Sequence, residues 1–269
     1  NHFIKYLSTL FDDETVSRLI SLYHIGTSKH WPCATVFWQI DQQGNIRSGK
    51  IMLYNPDNGR RVKEPYNHIS WVHTALKLPD FNLNQCFFGE HLLNTGNSKP
   101  VAIVESEKTA VIASVYFPQF IWLAVGSLSN LSAERCKCLR FRKVLLFPDL
   151  NCFDKWSAKA KEISQFIPGL RFEVSDLLEQ KAMESDKSKG LDLADFLIRF
   201  DYRKFLALEK LLEPMKVVKN VVSPPHTNIS NTTLDKVNNN KVCSFTPSLP
   251  KETWDIADLE NFFINTPLP

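Results

Sequence analysis

The chain has no Cys-x-x-Cys pair, no long apolar run and no strong excess of charge of either sign. Each absence excludes something. The six cysteines (Cys33, Cys86, Cys136, Cys138, Cys152, Cys243) are scattered, and Cys136-x-Cys138 has no second ligand pair at zinc-finger spacing. They read as free, reduced thiols of a cytoplasmic protein. No segment approaches the ~20 consecutive apolar residues that cross a bilayer, so no membrane partner is expected. The opening "NHFIKYLSTLF" lacks the basic and apolar regions of a signal peptide. It also lacks an initiator Met, so upstream sequence is expected. A formal net charge of +3 is too mild to announce a nucleic-acid partner by itself.

What is present is an ordinary globular composition, 43% hydrophobic and 23% charged, over 269 residues, enough for two modest cores. Residues 1–98 read as an α+β unit. "DDETVSRLISLYHI" sets Val16, Leu19, Ile20 and Leu22 at helical spacing behind Asp12 or Asp13 as cap. The stretch from Ala34 to Lys63 alternates and turns at Gly44-Asn45 and Asn58-Gly59, as a hairpin or short meander would. Residues 99–215 switch to strand-helix alternation. "VAIVE", "FIWLAVG", "KVLLF" and "RFEVS" are short apolar runs separated by helical segments, the first capped by Ser106. Leu193, Phe196, Leu197 and Phe200 share a helical face near the end of the unit. This pattern predicts an α/β fold whose parallel sheet is flanked by helices on both sides. Residues 216–250 are polar and Asn-rich, a flexible linker. Residues 251–269 form an amphipathic tail carrying Trp254, Leu259, Phe262 and Phe263, which would pack in cis or take a partner.

Open parallel sheets bind ligands beyond the carboxyl ends of their strands. Here the first such strand ends in Glu105 and the third in Asp149 and Asn151, which share a face if the chain stays extended. Asp192 and Asp195 flank the start of the last helix. These are hard oxygen donors of the kind Mg²⁺ takes. Each has an ordinary structural alternative: Glu105 as a solvated strand end, Asp149 as a turn or cap residue, Asp192 as the cap of the helix at Leu193. In the first unit Arg47, Lys50, Arg60, Arg61 and Lys63 interleave with Trp38 and Tyr54. That is either a platform for single strands or a solvated sheet face with Trp38 in the core. His24, His30, His68 and His73 show no ligand spacing and read as structural.

The order of these segments resembles the toprim domain of bacterial-type primases, topoisomerases and some nucleases. "VAIVESEKTAVIAS" resembles the strand bearing the toprim glutamate, at Glu105. "WLAVGSLSN" resembles the segment ending in a glycine turn, at Gly126. "VLLFPDLNCFDKWSAKA" resembles the Asp-x-Asp segment, at Asp149 and Asn151, and "KGLDLADFLIRF" the closing motif, at Asp192. The likeness covers about 110 residues, and the whole chain is similar to primase-like toprim proteins of bacterial mobile elements. It implies Mg²⁺ or Mn²⁺ held by Glu105, Asp149, Asn151 and Asp192, with Glu105 and Asp149 catalytic. The implied activity is primer synthesis from nucleotides on single-stranded DNA, with residues 1–98 as a primase-core-like region. Zinc is expected only in an upstream ribbon, and a replication protein on the tail. The alternatives are a metal-dependent toprim nuclease and a catalytically weak module that binds nucleic acid or recruits a helicase. Three departures from the pattern stand out: Asn151 in place of the second acid, Glu-Ser-Glu in place of Glu-Gly, and Thr109 where a second acid is often found. Asp154 is a candidate to compensate for Asn151.

Overall fold

Ala34–Ile40 (β2) and Ile46–Met52 (β3) pair antiparallel at the middle of the first sheet, where both faces are covered and residues of both parities are therefore buried along most of the two strands. The turn between them is organised by Asp41, whose Oδ1 accepts from the backbone N–H of Gln43 (2.9 Å) and Asn45 (2.8 Å). Gly26–Ser28 (β1) and Ile69–Trp71 (β4) complete an antiparallel sheet of order β1-β2-β3-β4. The computed structural model describes residues 1–95, 99–187 and 190–206. The expected linker at 216–250 and the tail at 251–269 lie outside the described residues, as do residues 96–98, where the first unit was expected to end.

Two helices precede this sheet, His2–Leu10 (α1) and Asp13–Tyr23 (α2), the second capped by Asp12 through the Thr15 N–H. Phe3 of α1 meets Phe37 of β2 edge to face at 5.3 Å, which seats the helix on one sheet face. The other face carries a small cluster of Ala34, Val36 and Ile51 packed with Trp31, Trp38 and Leu53. The short helix Val72–Ala75 (α3) follows β4.

The second sheet is parallel: Val101–Val104 (β5), Ile121–Ala124 (β6), Lys143–Leu146 (β7) and Arg171–Val174 (β8), in the order β6-β5-β7-β8. The helices connecting them are Glu107–Tyr116 (α4), Ala133–Cys136 (α5) and Phe153–Ser164 (α6), followed by Leu177–Lys181 (α7) and Leu193–Leu197 (α8). The protein is thus a mixed α/β fold with a four-stranded parallel sheet flanked by helices. Every residue of α4 except Lys108 is buried, so the helix is enclosed on all sides, its polar Glu107, Thr109 and Ser114 included. It packs on β6 and α8. One apolar core runs through both sheets, from Phe3 and Phe37 to Trp122 and Leu146. The residues between the sheets extend this union, since Phe88 bridges to Ala124 at the edge of the parallel sheet. Among the described residues no helix is long and apolar enough to cross a membrane, and all described cysteines are free.

Candidate metal and nucleic-acid cleft

The chain goes from β5 to β6 on one side, then crosses back to place β7 on the other. The carboxyl ends of β5 and β7 are therefore neighbours at the point where strand order reverses, and the loops that leave them part. Glu105 leaves β5 there, and Asp149 leaves β7 after Phe147-Pro148. Leu150 donates its N–H to Leu191 O (2.9 Å), which draws the loop before α8 alongside and brings Asp192 to the same place. These three acids, with Asp186 and Asp195, line a cleft of about 950 Å³. The antiparallel sheet and the loop that follows β3 contribute Lys50, Arg60, Arg61 and Lys63 to the same lining.

The acids are not equivalent. Burial, then the charges of Asp192 and Glu105, push Asp149 up to about 7. Asp192 works twice, as the N-cap of α8 through the Asp195 N–H (2.8 Å) and as a partner of Lys108 (3.2 Å). Lys108 Nζ also meets Asp195 Oδ1 at 3.0 Å. Burial opposes its charge, but the two aspartates outweigh burial and hold the ammonium protonated beyond the ordinary lysine range. Beside it, Glu107 takes both carboxylate oxygens to Lys50 Nζ, each at 3.1 Å. Arg199 makes a two-bond pair with Asp186, 2.9 Å each.

The basic wall is a structured turn. Asn55 Oδ1 accepts from the Asp57 N–H (2.8 Å), and Asn55 N–H donates to Arg60 O (2.8 Å). Gly59, at φ +63°, lies so close to the Tyr6 ring that no side chain fits between them. Arg60, Arg61 and Lys63 are exposed, and none enters an ion pair among the described residues.

Several predicted site residues sit elsewhere. The chain does not stay extended after Asp149. It turns, with Cys152 N–H donating to Asp149 O (3.0 Å) and Asn151 in the left-handed region at φ +67°. Asn151 therefore leaves the cleft; its Nδ2 donates to Lys187 O (3.0 Å) and its N–H to Glu179 Oε1 (2.7 Å). It does not share a face with Asp149. Asp154 is exposed in the first turn of α6 and does not replace it. Arg47 is bound to Asp41 at 2.6 Å, outside the cleft. Lys50 lines the cleft, but with its charge committed to Glu107. Trp38 packs over Gly49 and Gly26 in the small cluster, and Tyr54 is buried, so neither offers a free ring face. Thr109 joins the cap of α4, its hydroxyl 3.0 Å from Ser106 Oγ.

Among the described residues no group of three or more His, Cys, Asp or Glu converges closely enough to form a closed metal cage. The donor set nevertheless fits a hard cation held openly. Mg²⁺ usually binds through one or two carboxylates and completes its shell with waters and substrate phosphates. Glu105 and Asp149 supply two oxygen donors, while Asp192 is already matched by Lys108. Sequence reading missed Lys108 and the Lys50–Glu107 pair, because each depends on partners from distant segments.

A search of the curated proteins finds no match. Among solved structures, the primase fragment of the bacteriophage T7 primase-helicase protein is 20% identical, aligns over 53% of this chain and 52% of its own, and has a TM-score of 0.34. The Aquifex aeolicus primase, in its zinc-binding and RNA polymerase domains, is 13% identical over 74% of this chain and 49% of its own, TM-score 0.46. A DNA primase domain from Pseudomonas aeruginosa is 14% identical over 76% of this chain and 66% of its own, TM-score 0.38. The chain thus spans about half the length of the first two. The family model described as "Domain of unknown function (DUF6371)" matches residues 1–150, a stretch that includes both Glu105 and Asp149. That match covers more than half of the 269 residues, and the chain belongs to this family.

Proposed function

We propose that the protein is a primase-like toprim protein that carries out Mg²⁺-dependent nucleotidyl transfer on single-stranded DNA during replication of a mobile element. One observation supports this reading above others: a single cleft is lined both by Glu105 and Asp149 and by Arg60, Arg61 and Lys63, cations that enter no ion pair among the described residues. Phosphoryl transfer needs both a place for a hard cation and fixed positive charge along the backbone. Bound between Glu105 and Asp149, Mg²⁺ or Mn²⁺ would neutralise phosphate charge and align the reacting oxygens. The chain's own residues do the rest. Arg60, Arg61 and Lys63 hold the nucleic-acid backbone. Lys108, paired with Asp192 and Asp195, offsets part of the repulsion that those aspartates add around Asp149. The Lys50–Glu107 pair fixes the separation of the two walls. On this reading residues 99–215 are the toprim-like unit and residues 1–98 the template-holding region. A tail partner, an upstream zinc ribbon and a cytoplasmic setting belong to the same proposal.

A second reading, a binding module with weak or no chemistry, is favoured by one fact. Asn151 lies outside the cleft and Asp192 is paired with Lys108, which leaves two cleft carboxylates, Glu105 and Asp149, without an ion-pair partner among the described residues. Primer synthesis with template, nucleotides and Mg²⁺ separates the readings. Template-dependent product is expected from the wild type and is expected to be lost in Glu105→Gln and Asp149→Asn. Product that survives both substitutions would sink the site. Cleavage without synthesis would indicate the nuclease, and metal-indifferent binding the module.

A further inference from the structure

Four rings gather where the chain leaves the basic wall. Tyr66 and His68 follow Arg60, Arg61 and Lys63 by a few residues and stack on each other at 4.4 Å and 20°. Trp31, from the loop between β1 and β2, meets His68 edge on at 5.1 Å and Tyr66 at 6.5 Å. His30 closes on Trp31 at 4.4 Å. Trp31 is partly buried against the small cluster beneath the sheet, so the pile rests on a fixed base. His68 is held by the backbone, its N–H donating to Val62 O (3.2 Å) and its carbonyl accepting from Leu53 N–H (3.2 Å). Tyr66, at the top, is 54% exposed, far more than an aromatic ring at rest in a core.

We infer that the Trp31–Tyr66–His68 cluster is a stacking platform for a base of single-stranded nucleic acid whose backbone runs along Arg60, Arg61 and Lys63 into the cleft. The inference rests on the nucleic-acid reading of that cleft. An exposed ring held rigidly by other rings presents a flat π-face without further loss of rotamer freedom. Cations only a few residues away, in no ion pair among the described residues, supply the charge that the sugar-phosphate chain requires. Glu64 is the one acid between the two features, and Lys29 adds a cation on the Trp31 side. A duplex hides its base faces, so the platform selects single strands. It also takes the place of the expected Trp38 and Tyr54, which are packed away.

The test is fluorescence anisotropy of labelled oligo-dT with the full chain, titrated across a range of salt. Tyr66→Ala is expected to weaken binding about tenfold, the scale of one lost base stack, with no change in salt slope. Tyr66→Phe and Tyr66→Trp are expected to retain affinity. Arg60→Ala with Arg61→Ala is expected to weaken binding and flatten the slope by about one per arginine. If Tyr66→Ala binds within twofold of wild type while the arginine pair fails, the cleft reading stands and the platform falls. If Tyr66→Ala flattens the slope as the arginines do, or weakens duplex binding equally, Tyr66 shapes the loop and the platform is overturned. If the wild type binds no oligo-dT at low salt, both readings fall.

Discussion

Lys50 and Glu107 form a buried two-oxygen ion pair that ties the middle of the antiparallel sheet to the first turn of α4 beneath the parallel one. Their side chains are 11% and 3% exposed. The pair stands where the two walls of the cleft meet, and neither charge is free to bind substrate.

Removing one member strands the other charge in the interior. Lys50→Met and Glu107→Gln are each expected to cost about 3–5 kcal/mol by denaturant unfolding, the usual penalty for breaking a buried pair. Lys50→Met combined with Glu107→Met is expected to recover most of that loss, since apolar replacements of similar volume remove the desolvation penalty of both ions. Additive losses in the double variant would mean that the two residues are not energetically coupled.

Asp149 gives the cleft a pH signature. Its native carboxyl titrates at about 7 rather than 3.8, so the folded state holds a proton that the unfolded chain releases. The stabilising contribution of that proton is full below about 3.8 and is lost as pH rises through about 7. Metal-free protein is therefore expected to lose stability across this window, and Asp149→Asn to remove that part of the slope. Divalent cation binding runs the opposite way, because the metal must displace the proton. Calorimetric titration with Mn²⁺ is expected to show affinity rising up to about pH 7 and then levelling. An affinity unchanged between pH 5.5 and 8 would remove Asp149 from the ligand set.

How much of this could be read from residues alone depends on range. The strands beginning at Val101, Lys143 and Arg171 were legible as apolar runs, and Ser106 and Asp12 as caps, because those signals are local. Glu105, Asp149 and Asp192 could be put at strand and helix ends, and the crossover topology then brings them to one cleft. Asn151 was misplaced because period-two reasoning fails once the backbone enters the left-handed region. The fates of Arg47, Lys50 and Trp38 were not legible. A cation on a strand looks the same whether its partner is solvent, Asp41 or a glutamate 57 positions away. Helix α1 escaped notice, yet its Phe3 and Tyr6 support β2 and the basic turn.

Gly59 holds that turn in place, and two glycines separate its contributions. Gly44 has a similar backbone, φ +82°, but nothing within 4 Å of where a Cβ would stand. Gly44→Ala is expected to cost about 1 kcal/mol, the strain of a left-handed alanine. Gly59→Ala adds a collision with the Tyr6 ring and is expected to cost roughly 2–4 kcal/mol by thermal or denaturant unfolding. It should also weaken binding of single strands, because Arg60 and Arg61 move with the turn. Equal penalties at the two glycines would show that Tyr6 does not set the position of the basic wall.

Lys108 is the remaining control on the acids. Its ammonium bridges Asp192 and Asp195 and lowers the proton affinity of Asp149 nearby. Lys108→Met leaves both aspartates without that cation, and metal-free protein at pH 8 is expected to lose roughly 3 kcal/mol, the low end for a broken buried pair since Asp195 is partly exposed. Millimolar Mg²⁺ should restore more stability to this variant than to wild type, because a cation binding only the folded state stabilises it by mass action. The pH midpoint of Mn²⁺ binding should move upward, since Asp149 loses a positive neighbour and holds its proton more tightly. Lys108→Arg keeps the charge and should leave that midpoint near the wild-type value. A midpoint that moves down in Lys108→Met, or as far in Lys108→Arg, would mean that Lys108 acts on the cleft through packing and not through its charge.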